Sequence, residues 1–502
     1  MKKLLCLILS VIMLLSVFVA CGETEKQPGK TESTSASDAT SDAAATVAPA
    51  PTDPDSIVMV DERKLVPDPY EGQTLDYDGM TITMQIDNAV TNEFFEEEPT
   101  TEALSVALHN RTLYLKERMN IDLDYLEMHY LEFTKMQGAI SSGDCPYQIM
   151  YNMANYIAQI ALKGIFYNVQ GEYMEDLDLT NPWWSQHYTE QADIDGYVYA
   201  CTGDGALAYY TSTLLPFYNR NMGKDYNIES PYTLVDSGEW TLDRLAEMVR
   251  GIYTDVNSDG LRDKEDMYGF VLNGQESYDA FWAYFDFHFI KRDETGDLTV
   301  DPDVDYFQSA MEKLAALSTN TGVLINHSTT EDYKIPKFIN DEALFIIAPL
   351  SQCDQLRDMT SDYSILPGPK YNEEQEDYYS FNAPYVFTVP ITVEDTEPIC
   401  VLLEEIGWYS YRNVMPTYFD IVLRNKYLRD VESTKALQIA LENMIIDTIW
   451  IYTEMIANIG HVLLDEVPNG KSDFASYFAA NEKRINQGLK HVVSSIYKRC
   501  KY

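Results

Sequence analysis

An acidic loop of twelve residues has the residue types and spacing of a calcium site. It runs from Asp255 to Asp266 and reads D-x-N-x-D-G-x-x-D-x-x-D. Calcium takes six to eight oxygen ligands, which an EF-hand-type loop supplies from positions 1, 3, 5, 7, 9 and 12 around a glycine at position 6. Those positions are Asp255, Asn257, Asp259, the Leu261 carbonyl, Asp263 and Asp266, with Gly260 at the turn. Position 12 is Asp instead of the usual Glu, and the alternative is an acidic surface loop.

The elements on either side of this loop are predicted to hold it in place. An amphipathic helix is expected after Thr241, a residue type that caps helix N-termini, because apolar residues recur at helical spacing from Leu242 to Val249. A strand is expected over Tyr268–Asn273. A lone site of this kind is expected to be structural, so calcium would brace the loop.

Composition and charge exclude several classes of function. The chain has 502 residues, enough for at least two domains or lobes, and its 80 acidic and 36 basic residues give a net charge of −44. Such a chain offers no basic surface for nucleic acid or anionic membranes. The seven histidines lack metal-ligand spacing, and no G-x-S-x-G, H-E-x-x-H or P-loop motif occurs. The sequence therefore predicts a non-enzyme.

The N-terminus is predicted to target and anchor the chain. Lys2 and Lys3 precede an apolar run that ends near Phe18, and Val19-Ala20-Cys21 is typical of a bacterial lipobox. Residues 1–20 are then a signal peptide, and Cys21 carries the lipid on the extracellular face of the membrane. A Ser-, Thr-, Ala- and Pro-rich tract follows as a flexible tether. An ordinary signal peptide and an uncleaved anchor are the alternatives.

The remaining cysteines do not form a recognisable framework. They lack a C-x-x-C pair and are odd in number, which argues against a zinc site and against a full set of disulfides. Isolated buried thiols are expected, although one or two bridges stay open. These cysteines are Cys145, Cys201, Cys353, Cys400 and Cys500.

Alternating strands and helices predict an α/β fold. Strands are expected over Met80–Ile86, Ile121–Glu127 and Tyr147–Met153, with a helix over 101–119 between the first two. In open α/β sheets ligands bind beyond the carboxyl ends of the strands. Four asparagines lie at two such ends and are candidate ligand contacts or turn formers: Asn88, Asn92, Asn152 and Asn155. Residues 395–500 are predicted to be mostly helical, with helices over Pro398–Tyr411, Ser433–Ile459 and Ser472–Lys498.

The order of several motifs resembles the carbohydrate-type extracellular solute-binding proteins of ABC importers, in particular those of clostridial bacteria (family 1-like). Besides the lipobox and tether, the motifs are GYVYACTGD at 196–204, LPFYNR at 215–220, SPYTLVDSGEWTLD at 230–243, the D-x-N-x-D-G loop with Tyr268-Gly269-Phe270, FINDEALFI at 338–346, ILPGPKY at 365–371 and QEDYY at 375–379. The resemblance covers nearly all of the mature chain.

This resemblance implies a periplasmic-binding-protein-like type II fold, with two lobes that close about a hinge. Lobe I would hold residues 75–208 and 384–413, and lobe II residues 209–383 and 414–502, after a lipidated cysteine and tether over 21–74. The chain would cross between the lobes near Asp204–Tyr210, Phe381–Phe387 and Tyr411–Met415.

The resemblance also implies a ligand site, because family members present a Glu and a Tyr to bound sugar after the strand that ends at Asn273. Sugar sites combine aromatic faces with carboxylate and amide groups. The candidates are Glu276, Tyr278, Asp204, Trp282, Asn155, Asn92 and Tyr385, with Trp183, Trp184, Pro349 and Ser351 as weaker ones. For Trp282 core packing is the alternative, because it shares a helical face with Phe285 and Phe289. Trp183 and Trp184 are alternatively plugs of the lobe interface.

The function implied is capture of an oligosaccharide by a monomeric, lipid-anchored protein that delivers it to ABC permease subunits. The alternatives are a ligand sensor for a membrane histidine kinase, an adhesin, and a binder of peptide or another small solute. A bare peptide would need cations for its carboxyl terminus, and the sequence offers no Arg cluster.

Overall fold

Two mixed β-sheets carry the fold in the computed structural model. The structure describes residues 63–94, 98–327, 331–427 and 431–499, which all belong to one compact unit that begins at Ser56. Cys21 and Cys500 lie outside the described residues. The strands are β1 Met80–Ile86, β2 Ile121–Glu127, β3 Ile149–Met153, β4 Leu214–Asn219, β5 Tyr253–Thr254, β6 Met267–Asn273, β7 Ile290–Arg292, β8 Leu298–Val300, β9 Val323–Asn326, β10 Ala343–Pro349, β11 Tyr363–Ile365, β12 Ser380–Phe381, β13 Tyr385–Thr388 and β14 Met444–Ile445.

Helices surround both sheets and dominate the C-terminal part. They are α1 Ala103–Met119, α2 Phe133–Ser142, α3 Ala154–Ala161, α4 Gln186–Ala192, α5 Ala208–Thr211, α6 Arg220–Asp225, α7 Pro231–Ser237, α8 Leu242–Val249, α9 Gly274–Tyr284, α10 Val304–Ser318, α11 Lys334–Ile339, α12 Glu397–Tyr409, α13 Val431–Glu442, α14 Thr448–Ile451, α15 Val462–Glu466 and α16 Phe474–Arg499. Two π-helical segments, Ser410–Val414 and Thr417–Tyr427, follow α12.

The first sheet confirms the predicted α/β pairing. Its strand order is β13-β3-β1-β2, and β1 is parallel to both β2 and β3. Strand β1 forms the centre because its inward residues, Ile82, Met84 and Ile86, are completely buried. The edge strand β13 arrives much later in the chain and runs antiparallel to β3.

The second sheet has the order β14-β12-β4-β10-β6-β5, with β11 added beside β4 and β9 beside β6. Strand β10 is parallel to β6 and antiparallel to β4. Its residues Ala343–Ala348 are buried without alternation, as expected for a strand covered on both faces. Strands β7 and β8 form a separate hairpin.

The chain passes directly from the second sheet to the first between Phe381 in β12 and Tyr385 in β13. This passage lies beside α5, which leads into β4: Ser212 Oγ donates to the Ala383 carbonyl at 3.1 Å, and Asn382 donates to the Tyr209 carbonyl. The predicted lobe boundaries themselves stay a prediction.

The predicted helix over Ser433–Ile459 is wrong. Helix α13 ends at Glu442, because Met444 and Ile445 form β14 and pair with β12. Asp447 then caps the short helix α14 by accepting a hydrogen bond from the Ile449 amide at 2.7 Å. The apolar residues of this stretch are therefore buried by several short elements that meet at the edge of the second sheet.

Residues 63–74, predicted to be tether, bond to the folded part of the chain. Arg118 donates to the carbonyls of Tyr70 and Gln73, and Trp408 Nε1 donates to the Val66 carbonyl at 3.3 Å. Contacts with the folded part of the chain thus begin before residue 75, where the sequence predicts lobe I to start. No helix among the described residues is long and apolar enough to cross a membrane.

The four described cysteines, Cys145, Cys201, Cys353 and Cys400, are free thiols. Three of them are fully buried, and burial raises the pKa of the Cys201 thiol well above its usual value. For these four residues, the structure agrees with the prediction of isolated thiols.

Candidate functional site

The main cavity has a volume of about 900 Å³ and is lined by residues from both sheets. From the first sheet come the segments that follow β1 and β3, and from the second sheet come those that follow β6, β9 and β10. These are the carboxyl ends of strands, where helices begin and side chains are free of the sheet hydrogen bonds. Residues of α5 and the passage between β12 and β13 also line the cavity.

Helix α9 places two carboxylates in the wall from the second sheet. Strand β6 ends at Asn273, and Gly274 begins the helix where a Cβ atom would come within 3.1 Å of the Asn326 carbonyl oxygen. Glu276 and Asp279 follow at a spacing of three, which puts both on one helical face toward the cavity.

Both carboxylates of α9 have a fixed partner. Glu276 Oε2 lies 2.7 Å from Lys334 Nζ. Asp279 Oδ1 lies 3.4 Å from His461 Nδ1, and the His461 ring meets Trp450 edge-on at 4.9 Å. These pairs orient the acceptor groups of this wall.

The wall from the first sheet is aromatic and amide-rich. The partly exposed rings of Tyr130 and Tyr156 lie 4.7 Å apart at an interplanar angle of 38°, and Asn92 and Asn155 lie beside them in the lining. Aromatic faces of this kind pack against the C–H surface of a sugar, and amides bond its hydroxyls.

Glu93 is a buried carboxyl at the edge of this wall. Tyr151 donates to its Oε2 at 3.0 Å, and Arg111 donates to its carbonyl oxygen at 2.6 Å. Burial raises the pKa of Glu93 to about 7, although the Tyr151 hydrogen bond and the Arg111 charge lower it. Tyr385, also in the lining, donates to Asp87 Oδ2 at 2.8 Å, so its hydroxyl is already used.

The structure brings part of the predicted ligand set to the cavity. The predicted residues that line it are Glu276, Asn155, Asn92, Tyr385, Pro349 and Ser351. Asn88 and Asn152 are outside the lining, and Asn152 is buried.

Tyr278 and Trp282 do not line the cavity, because they occupy the opposite face of α9 from Glu276. The Tyr278 hydroxyl lies 2.8 Å from Ser318 Oγ, and burial raises the pKa of Tyr278 to about 12. Trp282 is 0 % exposed and packs against Phe287 and Phe307. Trp282 therefore packs in the core, as the alternative prediction for this residue stated.

Protein groups outside the cavity occupy the polar atoms of three further candidates, Asp204, Trp183 and Trp184. Asp204 accepts a hydrogen bond from Tyr210 at 2.5 Å and pairs with Arg63 at 3.3 Å. The two indole N–H groups donate to the buried carboxylate of Glu404, at 2.8 Å from Trp183 and 3.2 Å from Trp184. None of these three residues is part of the cavity lining.

Sequence reasoning missed Tyr130, Tyr156, Trp450 and His461. Tyr156 directly follows the predicted Asn155, and Tyr130 follows β2, so strand-end position was a usable signal for both. Trp450 lies in the stretch predicted as one long helix, and His461 lies two residues beyond it; only the tertiary fold brings His461 to Asp279 of α9 and Trp450 to His461.

The predicted calcium loop forms its own hydrogen bonds in this structure. Asp255 Oδ2 accepts from the Gly260 amide at 3.0 Å, and Asp266 accepts from the Tyr253 hydroxyl at 2.9 Å and from the Val256 amide at 3.2 Å. Asp255 Oδ1 is buried without a partner. Across the described ranges, no group of three or more His, Cys, Asp or Glu side chains is arranged to hold a metal ion. The carboxylates of the loop thus bond within the loop and to Tyr253 of β5.

Comparison with known proteins gives the fold. No protein-family model and no curated protein matches the sequence. Among solved structures, a solute-binding protein of an ABC transporter from Thermotoga lettingae, bound with alpha-D-tagatose, has a TM-score of 0.53 at 15% identity, over 82% of this chain and 100% of that one. This is the fold of the two-lobe solute-binding proteins.

Two further structures with this two-lobe fold are similar. The cyclic alpha-maltosyl-1,6-maltose binding protein of Arthrobacter globiformis has a TM-score of 0.53 at 12% identity, over 82% of this chain and 99% of that one. An ABC substrate-binding protein of Listeria monocytogenes in complex with cycloalternan has a TM-score of 0.51 at 12% identity, over 84% of this chain and 100% of that one.

Proposed function

We propose that this protein is an extracellular solute-binding protein that captures an oligosaccharide for an ABC importer. The observation that carries the proposal is the cavity of about 900 Å³ at the strand ends of two sheets, with paired tyrosine rings on one wall and carboxylates on the other. A volume of this size suits a ligand of a few sugar rings. The three fold relatives named above are described as bound to, or binding, saccharides.

Capture would work by closure of the two sheets and their helices about the passage beside α5. In this proposal Tyr130 and Tyr156 pack on the sugar rings. Glu276 and Asp279 accept hydrogen bonds from the hydroxyls, and the Asn155 amide donates to them or accepts from them. The chain would stay attached to the outer face of the membrane through lipidated Cys21, near the permease subunits that take up its ligand.

The test is a thermal-shift titration of the mature chain, from Cys21 onward, against a panel of oligosaccharides, amino acids and peptides. A ligand at a hundred times its dissociation constant adds about 2.7 kcal/mol to the free energy of unfolding. We expect a saccharide to raise the melting temperature and to be recovered unchanged. A shift with peptides alone would contradict the saccharide proposal, and turnover would contradict binding without catalysis.

Site variants connect this binding to the cavity. Tyr156→Ala is expected to weaken saccharide binding by about two- to tenfold, because one aromatic contact of this kind contributes about 0.5–1.5 kcal/mol. The matched control is Tyr497→Ala on α16, since Tyr497 is 62% exposed and lies outside the lining. Equal affinities for the two variants would place the ligand elsewhere.

We also propose that calcium stabilises the loop Asp255–Asp266. Its support is the register of six oxygen ligands around Gly260 and the buried, unpartnered Asp255 Oδ1. Calcium would have to compete with the Tyr253 hydroxyl for Asp266. The loop leads through β6 to Glu276 on α9, so an ion there would brace the site without contacting the ligand.

A further inference from the structure

The ionisable side chains that line the main cavity are mostly acidic. Among the described lining residues there are four carboxylates and two histidines but no lysine or arginine: Glu93, Glu276, Asp279, Asp354, His327 and His461. Carboxylates accept hydrogen bonds from hydroxyl and ammonium groups and repel anions. The cavity therefore favours hydroxyl and ammonium groups over anions, a preference that the fold alone does not require.

Among the described side chains, two buried cations contact lining residues, and both already have hydrogen-bond partners. Lys334 is 1% exposed, and its Nζ lies 2.7 Å from Glu276 and 2.6 Å from Asp332. Arg111 is also 1% exposed and donates to the carbonyls of Glu93 and Gly205 and to Ser410 Oγ. Neither side chain is part of the cavity lining, so neither can serve as the partner of a bound anion.

His461, which faces α9, does not make the lining of the cavity less acidic. His461 is only 15% exposed at its side chain and already faces Asp279 at 3.4 Å, while Trp450 covers its ring. Any positive charge on His461 is thus matched by the Asp279 carboxylate. The other histidine, His327, is exposed to solvent at the end of β9.

An anionic ligand would be strongly disfavoured here. A carboxylate, sulfate or phosphate would lose its hydration on lobe closure without gaining a cation, and it would face Glu276 and Asp279. A neutral hydroxyl loses little, because each carboxylate replaces a water as acceptor. This inference rests on the proposed function. We propose that the cavity accepts neutral and amino-substituted saccharides and rejects uronic-acid, sulfated and phosphorylated ones. Glu276 and Asp279 set this selectivity against anions.

The experiment compares trisaccharides of three charge classes by titration calorimetry and thermal shift on the mature chain. The neutral probes are maltotriose, cellotriose, mannotriose and galactotriose, the cationic probe is the chitosan trimer, and the acidic probes are trigalacturonate and trimannuronate. The methyl esters of the two acids control for shape, since they keep the size of the acid without its charge. We expect at least one neutral or cationic probe to bind and each acid to bind at least a hundredfold more weakly.

Variants test the assignment to α9. Glu276→Gln frees part of the Lys334 charge, and Asp279→Asn removes the carboxylate that faces His461. The double variant is therefore expected to narrow the ratio between the affinity for the best neutral probe and the affinity for the acids at least tenfold. A far-UV circular dichroism spectrum and a cooperative melting transition like those of the unaltered chain show that the double variant is folded, and Glu294→Gln, in the exposed β7–β8 turn, is the matched control.

Each outcome decides a different statement. An acid that binds within tenfold of the best neutral probe overturns the charge inference and leaves the saccharide function intact. A chain that binds no saccharide of any charge contradicts the proposed function, and the inference falls with it. If the ratio of the affinities for neutral and acidic probes is unchanged in the double variant, Glu276 and Asp279 do not set the selectivity.

Discussion

Glu404 is the buried acceptor that Trp183 and Trp184, two weak candidates for ligand contact, share. It is 1% exposed on α12 and accepts from the Asp178 amide, the Asn181 amide and the two indoles of Trp183 and Trp184. A buried carboxylate needs such partners, because its desolvation is otherwise uncompensated. Trp183 and Trp184 are thus explained by an internal acceptor, and a ligand need not be invoked for them.

Removing this acceptor is predicted to destabilise the fold. Glu404→Ala leaves two buried indole N–H groups without a partner, and we expect a loss of about 3–5 kcal/mol in the free energy of unfolding. Glu404→Gln keeps one acceptor oxygen and is expected to lose less. Chemical denaturation measures both, with the exposed Glu482→Ala on α16 as control. A loss below about 1 kcal/mol for Glu404→Ala would contradict this account.

The spacing of individual residues along α9 separates those that line the cavity from those that pack in the core. Glu276 and Asp279 are three apart and face the cavity, whereas Tyr278 and Trp282 are four apart and face the core. A helix cannot present Glu276 and Tyr278 to one ligand, because residues two apart lie on opposed faces. The prediction that paired them did not take the helix into account.

At the scale of elements, the loop before β6 is where a metal ion would act. Tyr253 of β5 and Tyr268 of β6 both donate to the loop, to Asp266 and to the Asp263 carbonyl, so the loop is fastened to the sheet. Thr241 caps α8 as predicted, accepting from the Arg244 amide at 3.4 Å. The elements on both sides of the loop were therefore predicted correctly, while the ion between them stays a prediction.

We predict that calcium raises the melting temperature of the mature chain relative to EDTA. At a hundred times its dissociation constant the gain is about 2.7 kcal/mol. Asp255→Ala is expected to abolish the difference, and the exposed Asp301→Asn, directly after β8, is expected to retain it. Identical melting curves in calcium and EDTA would show that the loop is held by its own hydrogen bonds alone.

At the scale of the whole molecule, several buried carboxyls share one direction of shift. Burial raises the pKa of Glu93, Glu404 and Glu405 to about 7 and that of Asp447 to about 6. In the unfolded chain such groups ionise near their ordinary values of about 4. Between these limits the folded state holds more protons than the unfolded state, so stability falls as pH rises.

We therefore predict that the protein is more stable at pH 5 than at pH 8, with the loss concentrated between about pH 4.5 and 7. The net charge of −44 acts in the same direction, but repulsion between surface charges is screened by salt. Denaturation across pH in 0.5 M salt isolates the buried groups, and Glu404→Gln should flatten the profile. A stability that rises toward pH 8 at high salt would contradict this reading.

The local sequence determined what depends on neighbours along the chain. Strands β1 and β2 match their predicted bounds because alternating apolar residues fit a half-covered sheet, and α8 follows from its cap and its apolar spacing. The order of motifs indicated a two-lobe fold, which the structure and its relatives show.

Only the tertiary structure decided which side chains share the cavity. His461 comes to Asp279 from more than 150 residues away along the chain, and Trp450 packs against the His461 ring. Strand β14 interrupts a stretch whose apolar residues suit a helix equally well. Strand pairing and burial outweigh local helical preference there, because they remove more apolar surface from water. The charge of the cavity likewise depends on where Lys334 and Arg111 are buried, which local patterns along the chain do not record.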